Sequence, residues 1–394
     1  MQPTAFTISR RAALLGLGAA FSLGRASLAL AAAPTENRFV VVLLRGAMDG
    51  MSAVQPYGDP DCASVRGSLA LAEPGAAPGE GTLLDLGGFY GMHPQLANLH
   101  AMYKAGNALI VHAAAGHYRS RSHFEAQDYL ESGADQRLGS GWLNRAVAAM
   151  PAQPGRDLAL SMGVAAPLLL RGPATVAAWA PEHFGQAPPD EFYGRLLALS
   201  AHDPVIGPSL AEGIKQRGMS PGDLANGRGA TVLAGAAGRL LAAPNGPRIA
   251  ALELAGWDTH NAQAQRLKQQ FKALDEAMGA LQSGLGDAWP RTAVLLVTEF
   301  GRTAHINGTM GTDHGTGGVA FLLGGAVAGG RVRADWPGLG SGRLFEDRDL
   351  MPTTDVRAIA KGVLASHLGL GPAGLEAAFP GSGDAVPLTG LVRA

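Results

Sequence analysis

Residues 38–49 read RFVVVLLRGAMD, an apolar run that gives way within a few positions to the carboxylate of Asp49. Two further runs have the same form: RIAALELAGWDTH leads to Asp258 and His260, and TAVLLVTEFGRT leads to Glu299. Continuous apolar runs are typical of strands that are buried on both faces of a parallel sheet. Ligands of such sheets bind outside the carboxyl ends of the strands, so the acids are expected to converge on one crevice.

A fourth segment, GTDHGTGG, places Asp313 and His314 just before the apolar run VAFLLGGAV. Its glycines allow the backbone to approach a ligand closely, and a purely structural turn would not need adjacent Asp and His. Carboxylates and imidazoles gathered in this way indicate a divalent metal ion, with zinc, calcium, magnesium and manganese all left open. The predicted ligands are Asp49, Asp258, His260, Glu299, Asp313 and His314.

Two of these predicted ligands also have structural interpretations. Asp258 or Thr259 could cap the helix that follows. Glu299 ends an apolar strand, where an unpaired carboxylate is costly to bury, and Arg302 is close enough in sequence to pair with it. Alternatively, the planar guanidinium of Arg302 faces an anionic substrate.

The segment RSRSHFEAQ is predicted to be a loop followed by a helix that begins near Ser122. Ser122 and Glu125 have the spacing of a capping box, in which Ser122 is the N-cap. A serine at the positive end of a helix dipole could instead act as a nucleophile, and both roles stay open. Arg121 or Arg302 would then neutralise the charge that develops on the substrate.

Residues 1–31 are predicted to be a twin-arginine export signal, because Arg10 and Arg11 precede a mild Gly- and Ala-rich apolar segment and a small-residue pattern. Glycines interrupt this segment too often for a membrane span, and the alternative is a buried N-terminal helix. The predicted location is the periplasm or the exterior, with no transmembrane anchor after signal removal. Without the three arginines of this signal, the chain has 28 basic and 32 acidic residues. This balance gives no reason to expect nucleic acid as a partner.

Strand and helix patterns alternate through residues 32–394, which predicts a single three-layer α/β/α domain with a mostly parallel central sheet. The segment ALIVHAAAG is a further predicted strand, and residues 261–285 and 355–368 are predicted helices. The region 142–247 is predicted to be an insertion or cap, with short strands in LALSMG and PLLLRG. The single Cys62 excludes an intrachain disulfide.

Over nearly its whole mature length the sequence resembles domain-of-unknown-function family 1501 of exported bacterial proteins. The segments that carry this resemblance are LLRGAMDG, YRSRSHFEAQD, GWLNRA, GWDTH, VTEFGRT, GTDHGTGG and DWPGL. More distantly, the order of its motifs is similar to the alkaline phosphatase and sulfatase superfamily, in which such motifs surround one or two metal ions. This similarity implies an alkaline phosphatase-like fold.

The distant resemblance gives each motif residue a role. It matches Asp49 to the strand-one acid, Ser122 to the nucleophile, Asp258 and His260 to an Asp-and-His pair, and His314 to the last histidine. Glu299-Phe300 replaces an Asp-His pair, and the sulfatase Cys-x-Pro-Ser-Arg pattern is absent. The resemblance implies hydrolysis of a phosphate or sulfate ester, in a small molecule or a polymer, by a metal-activated serine or water. The alternative is a non-catalytic exported protein that keeps the fold to bind a partner.

Overall fold

The computed structural model describes residues 36–75, 81–151, 158–163, 165–180 and 229–393 of the 394-residue chain. The predicted export signal lies outside these residues. The described strands are β1 (Arg38–Arg45), β2 (Val54–Gln55), β3 (Leu84–Asp85), β4 (Gly91–Met92), β5 (Ala108–Ala115), β6 (Ala159–Met162), β7 (Val176–Trp179), β8 (Ile249–Ala255), β9 (Thr292–Val297), β10 (Gly318–Leu323), β11 (Arg331–Arg333) and β12 (Thr354–Asp355). The described α-helices are α1 (Gly50–Ala53), α2 (Cys62–Arg66), α3 (Ala97–Lys104), α4 (His123–Ser132), α5 (Trp142–Ala148), α6 (Ala230–Ala242), α7 (Gln263–Leu285), α8 (Val356–Ser366) and α9 (Pro372–Ala378).

Most of these strands form one central sheet, in the order β11-β5-β10-β9-β1-β8-β6-β7, with β12 beside β5. β1 lies in the middle and is parallel to both β8 and β9, whereas β10 is antiparallel to its neighbours β9 and β5. A small antiparallel sheet of β2, β4 and β3 stands apart.

Helices cover both faces of the central sheet. Alternate residues of β1 point to opposite faces, so Val40 and Val42 belong to one apolar core and Val41 and Leu43 to another. The first core is completed by α3, α6 and α7, and the second by α5, α8 and α9. This arrangement confirms the predicted three-layer α/β/α architecture with a mostly parallel sheet.

The topology explains why the predicted site residues can meet. β8, β1 and β9 are adjacent and parallel, so the residues that follow them emerge at one edge of the sheet. β10 runs the opposite way and therefore begins at that edge, just after His314. β5 is antiparallel to β10 and so ends at the same edge, from which the chain leads into α4.

The described parts of the region 142–247 correct its interpretation as a cap. β6 pairs with β8 and β7 pairs with β6, so both strands extend the central sheet. The predicted strand in PLLLRG is instead a 3-10 helix at Leu168–Leu170. Residues 181–228 lie outside the described residues, and for them the cap remains a prediction.

Among the helices of the described residues, none combines the length and apolar character needed to cross a membrane.

The buried histidine of β5 makes stability depend on pH. His112 is fully buried, and its Nε2 lies 2.9 Å from the Val54 carbonyl. Burial lowers the pKa of His112 to about 4, from 6.5. The unfolded chain therefore binds a proton between these values that the folded chain does not, and stability falls as the pH drops below 6.5.

We expect acidification from pH 7 to pH 5 to cost about 2 kcal/mol of unfolding free energy through this residue. Urea unfolding of the wild type and of His112→Gln at both pH values measures the effect. The variant is expected to lose less stability on acidification than the wild type. Equal losses in the two proteins would show that His112 is not responsible.

Candidate metal centre

Three ligand atoms meet at the carboxyl edge of the sheet. They belong to His123, Asp258 and His314, and all lie within 4.8 Å of one another. The Nε2 atoms of His123 and His314 are 3.1 Å apart, and His314 Nε2 is 3.2 Å from Asp258 Oδ1. His123 Nε2 is 3.5 Å from Asp258 Oδ2. We call these three residues the ligand trio.

His260 adds a further imidazole to the ligand trio. Its Nε2 lies 2.9 Å from His314 Nε2 and 2.9 Å from Asp258 Oδ1. The side chains of His260 and Asp258 are 42% and 45% exposed, so this part of the site is open to solvent. Solvent therefore reaches the side chains of His260 and Asp258 directly.

The Nδ1 nitrogen of each of these three imidazoles faces a hydrogen-bond acceptor. His123 Nδ1 lies 2.7 Å from Glu299 Oε1, and His260 Nδ1 lies 3.1 Å from Asp313 Oδ1. His314 Nδ1 lies 2.7 Å from the Arg121 carbonyl oxygen. Because these oxygens accept, each Nδ1 carries the donated proton, and in its neutral form each imidazole turns the lone pair of Nε2 toward the others.

Lone pairs that face one another at about 3 Å repel unless a cation lies between them. The cation could be a shared proton, but a proton joins only two atoms, and here several nitrogens and a carboxylate face one position. Zinc ligands at 2.0–2.1 Å in tetrahedral geometry lie about 3.3 Å from one another. The two imidazole nitrogens are 3.1 Å apart, and they lie 3.2 Å from Asp258 Oδ1 and 3.5 Å from Asp258 Oδ2, so the two imidazoles and the carboxylate are close enough together to hold a divalent ion.

Asp258 forms an ion pair with Arg302. The Arg302 side chain is fully buried and donates to Asp258 Oδ1. It also donates to the carbonyl oxygens of Gly46 at 2.7 Å and Ala47 at 2.8 Å. Both sequence interpretations of Arg302 were wrong, because it pairs with Asp258 rather than Glu299 and is too buried to face a substrate.

Glu299 contacts His123 and is not itself a member of the ligand trio. Its Oε1 accepts from His123, from Gln127 Nε2 at 3.0 Å and from the Gly46 amide at 2.8 Å. Its Oε2 accepts from the Thr298 hydroxyl at 3.0 Å. Burial alone would raise the pKa of Glu299, but hydrogen bonds from His123 and Gln127 hold it at about 2. Glu299 is therefore ionised and accepts a hydrogen bond from His123. Asp313 accepts a hydrogen bond from His260 in the same way.

Asp49 does not join the ligand trio. Its carboxylate is buried and forms an ion pair with Arg66, whose guanidinium nitrogen lies 2.5 Å from Oδ2. Ser52 and Gln263 donate to the same carboxylate. Burial alone would raise the pKa of Asp49, but Arg66 holds that pKa below its usual range. The prediction that Asp49 is a metal ligand is corrected, because Arg66 already supplies its cation.

Ser122 is the N-cap residue of α4, as predicted, but its hydroxyl makes no capping hydrogen bond. The capping box is not formed, since Glu125 accepts from the hydroxyls of Tyr118 and Ser120 instead. The Ser122 amide donates to the Ser120 hydroxyl at 3.2 Å. Ser122 directly precedes a member of the ligand trio, and its role as nucleophile stays a prediction.

Arg121 is placed beside the centre in a different role from the predicted one. Its guanidinium forms ion pairs with Glu346 and Asp349, which already balance its charge. Its contribution to the centre is the carbonyl oxygen that accepts from His314 Nδ1. Arg121 is thus a positioning residue through its backbone.

His123 is the one member of the ligand trio that was not predicted as a ligand. It lies in the first turn of a helix, eight residues beyond the end of β5, whereas the other two members lie in loops next to strands. A usable signal existed, since the run ALIVHAAAG predicts another strand that delivers its following loop to the sheet edge.

Replacing Glu299 by glutamine is expected to weaken metal binding about 10- to 100-fold, because the amide no longer provides an ionised acceptor for His123. Competition with a chromogenic chelator measures the affinity of the wild type and the variant for zinc. The matched control is Glu253→Gln, which removes a carboxylate from β8 that pairs with Arg45. Unchanged affinity in Glu299→Gln would contradict the positioning role.

The chain belongs to DUF1501, a protein family of unknown function, whose family model matches residues 116–376. The matched residues contain the whole ligand trio and His260. No curated protein matches the sequence.

Several solved structures are similar at low identity. The zinc complex of the C-terminal periplasmic domain of EcEptC from Escherichia coli is 10% identical, with 74% of this chain and 73% of that chain covered and a TM-score of 0.33. Phosphonate monoester hydrolase of Agrobacterium radiobacter is 12% identical, with 75% and 70% covered and a TM-score of 0.35. A magnesium-bound variant of TAB5 alkaline phosphatase is 10% identical, with 76% and 94% covered and a TM-score of 0.36.

Proposed function

We propose that the protein is a metal-dependent hydrolase of a phosphate or sulfate ester, in a small molecule or a polymer. The observation that carries the proposal is the ligand trio, in which two imidazoles and a carboxylate turn toward one position. The Nδ1 atoms of the two imidazoles are held from behind by Glu299 and by the Arg121 carbonyl. Such outer partners are typical of metal-binding histidines.

The ligand trio is proposed to hold one divalent ion, and zinc is the ion that nitrogen and oxygen ligands at these separations suit best. When bound, such an ion polarises an ester oxygen and lowers the pKa of a water or hydroxyl group beside it. Arg302 keeps the Asp258 carboxylate in place, and Glu299 keeps His123 in the tautomer whose Nε2 can bind. The exposed side of Asp258 and His260 leaves the substrate a path to the centre.

The attacking group is proposed to be the Ser122 hydroxyl or a water. Ser122 is a candidate for the attacking group because it directly precedes His123 at the N-terminus of α4. Its hydroxyl is also not used in capping the helix. Replacing Ser122 by alanine distinguishes the two. Activity that is lost while zinc binding is retained supports the serine, whereas unchanged activity supports water.

The hydrolase proposal is tested by assaying the purified mature protein on aryl phosphates and aryl sulfates with zinc, calcium, magnesium and manganese. We expect one of these ions to support turnover, and the double variant Asp258→Ala, His314→Ala to lose it. Activity that survives the double change would contradict the proposal.

A non-catalytic binding protein is the second candidate. Asp49 and Glu299 favour it, because both are engaged with protein partners and neither can help to hold a second ion. A metal-loaded protein that hydrolyses none of the esters but binds phosphate or sulfate would support this candidate.

Export to the periplasm or the exterior is also proposed, on the sequence of residues 1–31 alone. Changing Arg10 and Arg11 to lysine is expected to retain the protein in the cytoplasm, which fractionation of a bacterial host measures. Unchanged export of the variant would contradict a twin-arginine signal.

A further inference from the structure

Two loops that each carry one member of the ligand trio lie against one another. One, residues 256–262, leads from β8 into α7, and the other, residues 307–314, ends shortly before β10. We call them the two ligand loops. Their backbones are joined directly, since the Thr312 amide donates to the Thr259 carbonyl oxygen at 3.3 Å. The position of each loop therefore depends on the other.

Each of the two ligand loops has a buried threonine close to its ligand residue. Thr259 stands between Asp258 and His260, and Thr312 precedes His314 by two positions. Both threonines are fully buried. Because near neighbours share one stretch of backbone, a contact that fixes either threonine also limits where the adjacent ligand side chain can lie.

A single glutamine side chain binds both threonine hydroxyls. Gln263 is the first residue of α7 and is fully buried. Its Oε1 accepts from the Thr259 hydroxyl at 2.9 Å and from the Thr312 hydroxyl at 2.6 Å. Its Nε2 donates to the Asp49 carboxylate. Since an ionised carboxylate only accepts, Asp49 requires the amide nitrogen on its own side, which turns the amide oxygen toward the threonines.

We propose that Gln263 is a positioning residue of the metal centre, which holds the two ligand loops at the separation that lets Asp258 and His314 bind one ion. This inference rests on the metal centre of the proposed function. Asp258 Oδ1 and His314 Nε2 come from different loops and are 3.2 Å apart. The link through Gln263 fixes the loops before an ion binds, so its loss is expected to lower metal affinity and not only stability.

The two threonine hydroxyls test the proposal without a change in any ligand residue. The paired variant Thr259→Val, Thr312→Val removes both hydroxyls and nearly keeps the shape of the side chains. Competition with a chromogenic chelator is expected to show zinc binding about 10-fold weaker than in the wild type, at the lower end of the range for outer partners of a metal site. The paired variant Thr259→Ser, Thr312→Ser keeps the hydroxyls and is expected to retain wild-type affinity.

Thr292→Val is the matched control for the loss of a buried hydroxyl. Thr292 is also fully buried, and its hydroxyl donates to the Ala288 carbonyl oxygen at 2.8 Å. It begins β9, however, and so lies at the sheet edge opposite the metal centre. We expect this variant to unfold at a lower urea concentration than the wild type but to bind zinc equally well. If the paired valine variant binds zinc as tightly as this control, Gln263 is not a positioning residue.

Gln263→Met removes the amide at the centre of the link and is also expected to weaken zinc binding about 10-fold. Adding the paired valine changes to Gln263→Met is expected to cause no further loss, because all three changes break the same link. Losses that multiply would overturn this inference and leave the hydrolase proposal standing. Absence of zinc binding by the wild type would contradict the proposed function, and this inference with it.

Discussion

Replacing His314 by alanine is expected to lower zinc affinity by at least about 100-fold, since loss of an outer partner alone costs 10- to 100-fold. His314 Nε2 lies within 3.2 Å of ligand atoms of His123, His260 and Asp258, so its removal leaves a gap at the centre of the group. Competition with a chelator measures the affinity. The thermal midpoint in excess zinc is expected to fall as well, because an ion bound only by the folded state stabilises it.

His305→Ala is the matched control, because it removes an exposed histidine near the same loop whose side chain is not in the centre. It is expected to bind zinc as the wild type does. If His314→Ala also retains wild-type affinity, the ligand trio does not form the site.

Replacing Arg66 by methionine is expected to destabilise the protein by about 3–5 kcal/mol, because it leaves the Asp49 carboxylate buried without a cation. Both side chains are 1% exposed, so water cannot compensate. Arg66 also donates to the carbonyl oxygen of Ala304 at 3.0 Å, and the change removes that bond too. Urea unfolding measures the loss.

The double variant Asp49→Asn, Arg66→Met is the control, since it removes the charge together with its partner and is expected to recover much of the stability. Zinc affinity is expected to stay at the wild-type value in the double variant. A large loss of zinc affinity in the double variant would indicate that Asp49 is a metal ligand, which would contradict the role given by its ion pair with Arg66.

Apolar runs were sufficient to predict the middle of the sheet. β1, β8 and β9 were each predicted from an uninterrupted run, and their parallel pairing brings the residues after them to one edge. Asp258, His260 and His314 therefore meet, as the positions of their loops predicted. The apolar run gives the position of each strand, and the alternation of strands with helices gives their parallel direction.

The sequence did not reveal which of the acids bind a metal ion and which pair with another side chain. Asp49 and Glu299 both follow strands, yet one pairs with Arg66 and the other with His123. Glu299 and His123 are 176 residues apart in the chain, and no periodicity relates the two positions. Whether a carboxylate binds a metal or a protein cation depends on such tertiary partners, which a single sequence does not reveal.

The metal content of the protein tests the central claim most directly. Elemental analysis of protein purified without chelators, followed by thermal melts before and after EDTA, measures both occupancy and linkage to stability. We predict about one divalent ion per chain and a lower melting temperature after EDTA, restored by adding zinc. Absence of any bound ion, together with a melting temperature that neither EDTA nor zinc changes, would contradict the account.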